Sequence, residues 1–144
     1  MPMHFDQETD VLIIGSGFAG LTAALEAHDT GARVVILEKR GAPGGNSTVS
    51  GGGYNAVDPE RQIPQGIQDS IDKFYEDTMR GGDYRASPEM VRIMVENALD
   101  GLHWLEEKGV IFGPTVEQVI GSLWPRCHRA ERGGAGIIKV LLSH

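Results

Sequence analysis

The sequence is poor in several things that would signal a function at once. It has a single cysteine, Cys127. One thiol cannot close an internal disulfide, so the fold must rest on its apolar core. It has no C-x-x-C-H segment for haem attachment. It has no apolar run near the ~20 residues that span a bilayer. Positive charge is scarce: 13 Lys and Arg stand against 20 Asp and Glu, for a net charge of -7. That balance argues against a nucleic-acid partner or an anionic lipid surface. Met1 to Asp10 is polar and lacks the apolar core of a secretory signal, which makes the cytoplasm the expected compartment. No internal repeat or low-complexity tract is visible. His4, His28, His103 and His144 have no metal-ligand spacing between them.

What the chain has in abundance is glycine, 20 in 144 residues, about twice the usual ~7%. Ten of the 20 lie between Gly15 and Gly53, so one part of the molecule needs bare backbone. A hydrophobic fraction of 40% supports a folded domain.

Asp10-Val-Leu-Ile-Ile-Gly15 is a short apolar run that predicts a strand buried on both faces, as in parallel sheets. A tight turn follows from Gly15 to Gly20. Leu21 to His28 is rich in good helix formers, and Gly31 stops it. Arg33 to Leu37 predicts a second buried strand. This β-turn-α-β order makes the two strands parallel neighbours through a right-handed crossover. Residues 39–66 read as a long loop with Gly44, Gly45, Gly51, Gly52, Gly53, Pro43, Pro59 and Pro64. Two helices should follow. One carries Ile67, Ile71, Phe74, Tyr75 and Thr78 and ends near Gly81. The other starts at the Ser87-Pro88-Glu89 cap, carries Val91, Met94, Val95, Ala98, Leu102 and Leu105 on its core face, and closes at Gly109. Val110 to Phe112 suggests a short strand, Thr115 to Ile120 is ambiguous, and Ala135 to Leu142 predicts a helix.

Gly15-Ser-Gly17-Phe-Ala-Gly20 is a G-x-G-x-x-G turn placed directly between a strand and a helix. Gly15 permits the sharp turn, Gly17 lets backbone approach a pyrophosphate, and Gly20 lets helix and strand pack closely. The helix start then offers unpaired N–H groups to phosphate. Glu38 ends the second strand, 18 residues beyond Gly20. A carboxylate there accepts from a ribose diol and repels a 2′-phosphate. This motif alone suits either NAD or FAD. The second cluster, Gly44-Gly-Asn-Ser-Thr-Val-Ser-Gly-Gly-Gly53, favours a flavin, whose ring system extends over a second surface.

Taken together these two segments resemble the fumarate reductase/succinate dehydrogenase flavoprotein family, in its soluble flavocytochrome c form. The likeness continues through Asp72–Gly82 and Asp100–Gly109 and reaches Arg126-Cys-His-Arg129. The resemblance implies an α/β fold: the N-terminal part of a Rossmann-like FAD-binding domain at residues 1–113, mainly helical after the glycine loop. The start of a cap domain would follow at 114–144. It implies a cofactor set of Gly15, Ser16, Gly17, Ala19, Gly20, Glu38, Lys39, Gly45, Asn46, Ser47, Gly52 and Gly53. Asn46 and Ser47 would contact the flavin, and Gly52 and Gly53 would lay backbone against it. The Asn46–Gly53 loop contains no histidine, so the FAD would be non-covalent. His128 would bind a substrate carboxylate, although Ala130 stands where the family commonly has proline.

The implied chemistry is hydride transfer from reduced flavin to an α,β-unsaturated carboxylate such as a dicarboxylate. The family's acidic Arg falls beyond residue 144, so no catalytic residue is assigned here and the electron donor is unspecified. Family members run to several hundred residues, and two parallel strands leave a sheet uncovered. The chain therefore reads as a fragment of such an enzyme. Two other readings remain open at this stage: a 3-ketosteroid dehydrogenase-like flavoenzyme, and a truncated, non-catalytic nucleotide-binding remnant.

Overall fold

The computed structural model describes residues 7–144. His4 and most of the polar start read above lie outside the described residues. Strand β1 (Val11–Ile14) and strand β2 (Val34–Leu37) form a parallel pair in the register Val11↔Val34 to Ile14↔Leu37. Helix α1 (Phe18–Asp29) crosses between them and buries Leu21, Ala24 and Leu25. Gly31, at φ +88°, takes the chain out of the helix in the left-handed region that glycine tolerates. The βαβ unit expected from the sequence is therefore present.

One expectation for these strands fails. Only α1 covers this sheet among the described residues, so its second face is open. Ile14 is 85% exposed, and Leu12 and Leu37 are also exposed. The continuous apolar run is that of a doubly covered strand, but only half of the cover is here.

The long loop carries more structure than its composition suggests. Residues 45–47 make a 3₁₀ turn, Gly53–Asn55 form strand β3, and Pro59–Gln62 form a short helix α2. Asp58 caps α2 by accepting from the amides of Glu60 (3.0 Å) and Arg61 (3.2 Å), with Pro59 pre-set in its first turn. Helix α3 (Ile71–Gly81) is capped by Ser70, which accepts from the Lys73 amide at 3.1 Å. It buries Phe74 and Met79.

The single long helix expected from Ser87 to Gly109 is two helices, α4 (Pro88–Glu96) and α5 (Ala98–Glu107). Asn97 interrupts them. Its side-chain amide donates to the Ile93 carbonyl at 2.8 Å, competing with the helical ladder. Val91, Val95, Ala98, Leu102 and Leu105 are buried as expected, while Met94 is exposed.

Beyond Gly109 only isolated bridges form, Phe112 with Ala130 and Glu117 with Cys127. Strand β4 (Cys127–Arg129) then pairs antiparallel with β3, placing Tyr54 opposite His128. Helix α6 (Gly133–Leu141) packs on α1 and on the 45–47 turn. It starts two residues earlier than the sequence suggests. Its Ile137, Ile138 and Leu141 join Leu21, Leu25, Val95 and Leu102 in one core. The division expected at residue 113 falls inside this continuous packing.

Candidate functional site

The first glycine turn is built as its spacing requires. Gly15 holds φ +96°, and its N–H donates to the Leu37 carbonyl at 2.7 Å, tying the turn to β2. Gly20 faces the turn so closely that a Cβ would lie 2.0 Å from the Gly15 carbonyl oxygen. Gly17 is the residue before α1 and supplies no side-chain cap, and the first turn holds no acid. The amides of Gly17, Ala19 and Gly20 donate to no acceptor among the described residues. A helix start with three free N–H groups and no competing carboxylate is the chemistry that binds a pyrophosphate.

Glu38 stands at the end of β2 beside this turn. Its Oε2 accepts from the Ser16 amide (3.0 Å) and from the Ser16 hydroxyl, and its Oε1 accepts from the Arg40 amide (2.9 Å). These bonds, led by the Ser16 hydroxyl, bring the carboxyl down to about 2. Glu38 is thus ionised at every physiological pH, and Oε1 keeps a free lone pair for a hydroxyl donor. Ser16 also accepts from the Gly44 amide at 3.0 Å, so one hydroxyl joins Glu38 to the second glycine segment.

That second segment folds back onto the first. Gly44, at φ +99°, is buried, and a Cβ there would meet Thr48 Oγ1 at 2.1 Å. Ser47 Oγ accepts from the Phe18 amide at 3.1 Å, taking the fourth N–H of the helix start. The result is a cleft of about 590 Å³ lined by Ile14, Gly15, Ser16, Gly17, Leu37, Glu38, Lys39, Arg40, Gly45 and Asn46. Seven residues of the expected cofactor set line it: Gly15, Ser16, Gly17, Glu38, Lys39, Gly45 and Asn46. Ala19 and Gly20 form its helical edge, and Ser47 braces it.

Gly52 and Gly53 lie elsewhere. They border a larger apolar cavity of about 680 Å³ with Phe18, Tyr54, Trp104 and Leu141. Their missing side chains have packing reasons. A Cβ on Gly52 would lie 2.5 Å from the Gly133 carbonyl carbon, and one on Gly53 would lie 2.8 Å from Cys127 Sγ. Helix α6 therefore abuts the glycine loop backbone to backbone, a contact that no local pattern of residues reveals.

The Arg-x-His-Arg motif requires a correction. His128 is wholly buried, and both ring nitrogens bond inside the protein, to Tyr54 and Asp58. A substrate carboxylate would have to displace Asp58 to reach it. Its role here is structural, because the β3–β4 pairing carries it into the interior. Arg126 is buried as well and forks onto Asp69 and Asp77. Cys127 is buried, and desolvation pushes its thiol up, which makes it unreactive. Asp58, Gln62 and Asp69 complete this polar interior and escaped the sequence reading. The Asp58-Pro59 cap signature marked the first, and nothing local marked the others.

The fold and the cleft define a dinucleotide-binding domain of the flavoprotein kind. The chain belongs to the FAD binding domain family, which it matches over residues 10–141. It is 40% identical over 126 residues to an NADH:fumarate oxidoreductase of Klebsiella pneumoniae, covering 88% of this chain and 14% of that protein. It is 39% identical over 143 residues to an acrylate reductase flavoprotein subunit of Shewanella woodyi, covering 98% of this chain and 28% of that protein. The open conformation of a flavocytochrome c3 fumarate reductase superposes with a TM-score of 0.88 at 35% identity, over 96% of this chain and 25% of that one. The chain thus spans between about a seventh and just over a quarter of these relatives. FAD is the cofactor of this family, and the free amides, the ionised Glu38 and the bare turn fit its pyrophosphate and adenosine ribose. No helix among the described residues is long and apolar enough to cross a membrane.

Because Glu38 stays ionised, its contribution to FAD affinity is expected to be level from about pH 4 to about pH 8. Glu38→Gln keeps the shape and removes the charge, and is expected to weaken FAD binding by about tenfold. Fluorescence titration of FAD against both proteins across that pH range checks this.

Proposed function

We propose that this chain supplies the FAD-binding part of a reductase of unsaturated carboxylates, of the fumarate reductase type, working in the cytoplasm. The cleft carries the reading: one surface presents the three free amides of α1, the ionised Glu38 and the Gly45–Asn46 backbone. Relatives named for fumarate and for acrylate share this segment. Their common chemistry is a carbon–carbon double bond conjugated to a carboxylate, and a dicarboxylate is the favoured substrate.

In this proposal the amides of Gly17, Ala19 and Gly20 hold the pyrophosphate, and Glu38 accepts from the adenosine ribose. Lys39 and Asn46 bound the cleft, and Ser47 keeps the second glycine segment closed over the helix start. The attachment is non-covalent, since no histidine lies between Asn46 and Gly53. The FAD, when bound, supplies hydride transfer to the activated alkene. The residues that polarise the carboxylate and deliver the proton are not among those of this cleft. Gly52 and Gly53 stay candidates for the flavin side of the loop, and residues past 113 for the approach to a substrate domain.

The test uses the longer protein that contains this segment. With a reduced low-potential dye as electron donor, it should consume fumarate or acrylate and leave saturated acids untouched. Dye oxidation with a 3-ketosteroid and none with either acid would replace this reading by the ketosteroid one.

A further inference from the structure

Glu38 offers a ligand less than a carboxylate ordinarily can. An ionised carboxylate has four acceptor positions, two on each oxygen. Glu38 Oε2 accepts from the Ser16 amide at 3.0 Å and from the Ser16 hydroxyl, which takes both positions on that oxygen. Glu38 Oε1 accepts from the Arg40 amide at 2.9 Å. At most one position, on Oε1, is left for a bound molecule.

A third group fixes the direction of the Ser16 bond. Ser16 Oγ accepts from the Gly44 amide at 3.0 Å. An amide nitrogen can only donate, and an ionised carboxylate can only accept. The one hydroxyl proton of Ser16 therefore points at Glu38. Ser16 is 3% exposed, so its hydroxyl is closed off from the cleft by its own partners. Gly44 is held in turn: it is buried, and its carbonyl accepts from the Ser47 amide at 3.0 Å. The amide and the hydroxyl of Ser16 are both spent inside the protein, and neither is free to donate to a phosphate.

We propose that Ser16 is a positioning residue and not itself a cofactor ligand: it occupies Oε2, so that Glu38 reads one hydroxyl of the adenosine ribose and not the pair. The inference rests on the FAD reading and deepens it. A carboxylate with both oxygens open can take one hydroxyl of a 2′,3′-diol on each. With Oε2 closed, the second hydroxyl has no place on Glu38. A hydrogen bond to a charged group is among the stronger ones, and losing it costs about tenfold or more in affinity. The two ribose hydroxyls should therefore contribute unequally.

Calorimetric titration of the folded full chain with three probes tests this. The probes are FAD, FAD lacking the adenosine 2′-hydroxyl and FAD lacking the adenosine 3′-hydroxyl. One deoxy analogue should bind at least about tenfold more weakly than FAD, and the other within about twofold of it. Equal losses from both, or a loss from neither, overturn the inference and leave the FAD reading standing. FAD that does not bind at all removes the FAD reading, and the inference falls with it. Ser16→Ala opens Oε2 and frees the carboxylate to turn. Both deoxy analogues should then bind that variant at least about tenfold more weakly than FAD does. A Ser16 that merely supports the turn would weaken all three probes by one common factor and keep the one-sided pattern. That result overturns the positioning role. Ser16→Gly opens the same oxygen and serves where Ser16→Ala does not fold.

Discussion

Arg126→Met is expected to destabilise the chain by about 3–5 kcal/mol, the usual cost of removing one partner from a buried ion pair. Arg126 is 2% exposed. Its Nε and Nη2 form a fork on the Asp69 carboxylate at 2.8 and 2.7 Å, and Nη1 reaches Asp77 at 3.1 Å. The guanidinium also lies over the Phe74 ring, 4.6 Å from its centroid. Methionine can fill much of the volume. It cannot answer the charge of Asp69, whose side chain is almost wholly enclosed.

The sign with pH follows from Asp69. Burial raises its carboxyl, but hydrogen bonds from Arg126, Gln62 and the Ser70 amide outweigh that and leave it below the ordinary value. A depressed carboxyl contributes stability above its unfolded value of about 3.9 and loses it as the pH falls through the folded value. The penalty of Arg126→Met should therefore be full at neutral pH and shrink in acid, where a protonated Asp69 tolerates burial. Urea unfolding of both proteins at about pH 7 and about pH 3 reads the difference. A penalty that is equal at the two pH values would remove the ion pair from the account.

Gly20→Ala is the second large effect. A methyl there would sit 2.0 Å from the Gly15 carbonyl oxygen and 3.4 Å from Ile13 Cγ2. The first contact is with backbone, so no side-chain rotation relieves it. Helix α1 must lift from β1, at a cost of about 3 kcal/mol by the usual scale of overpacking. The same displacement moves the free amides of α1 away from Glu38. Stability and FAD affinity should fall together, the latter by at least about tenfold. A variant that loses stability but binds FAD as before would separate the turn geometry from cofactor binding.

These effects also show what can be read from residues alone. The βαβ unit, the roles of Gly15 and Gly20, the position of Glu38 and the caps at Ser70 and Ser87 all depend on neighbours within a few residues or on one short crossover. Local spacing was sufficient for each. The pairing of Tyr54 with His128 joins segments more than 70 residues apart. Nothing in either segment marks it, so the sequence points to His128 as a substrate ligand, whereas the pairing makes it a core residue. Gly52 has a second reason to be bare that only the fold shows. The Gly133–Gly134 start of α6 lies where its Cβ would be, whether or not the backbone also meets a flavin. The open face of β1 and β2 was hidden by its own composition, because an apolar strand reads as buried whether or not its cover is present. Asn97 shows the smallest failure: a strong periodic pattern ran straight through a side chain that breaks the helix.

The central claim is that the two glycine segments form one FAD site on this chain. Calorimetric titration of FAD into the chain, with the Ser47→Ala variant alongside, tests it most directly. Ser47 ties the second segment to the first through the Phe18 amide. One FAD per chain is expected, with an affinity that falls by about tenfold in the variant. FAD bound equally well by both proteins would contradict the claim.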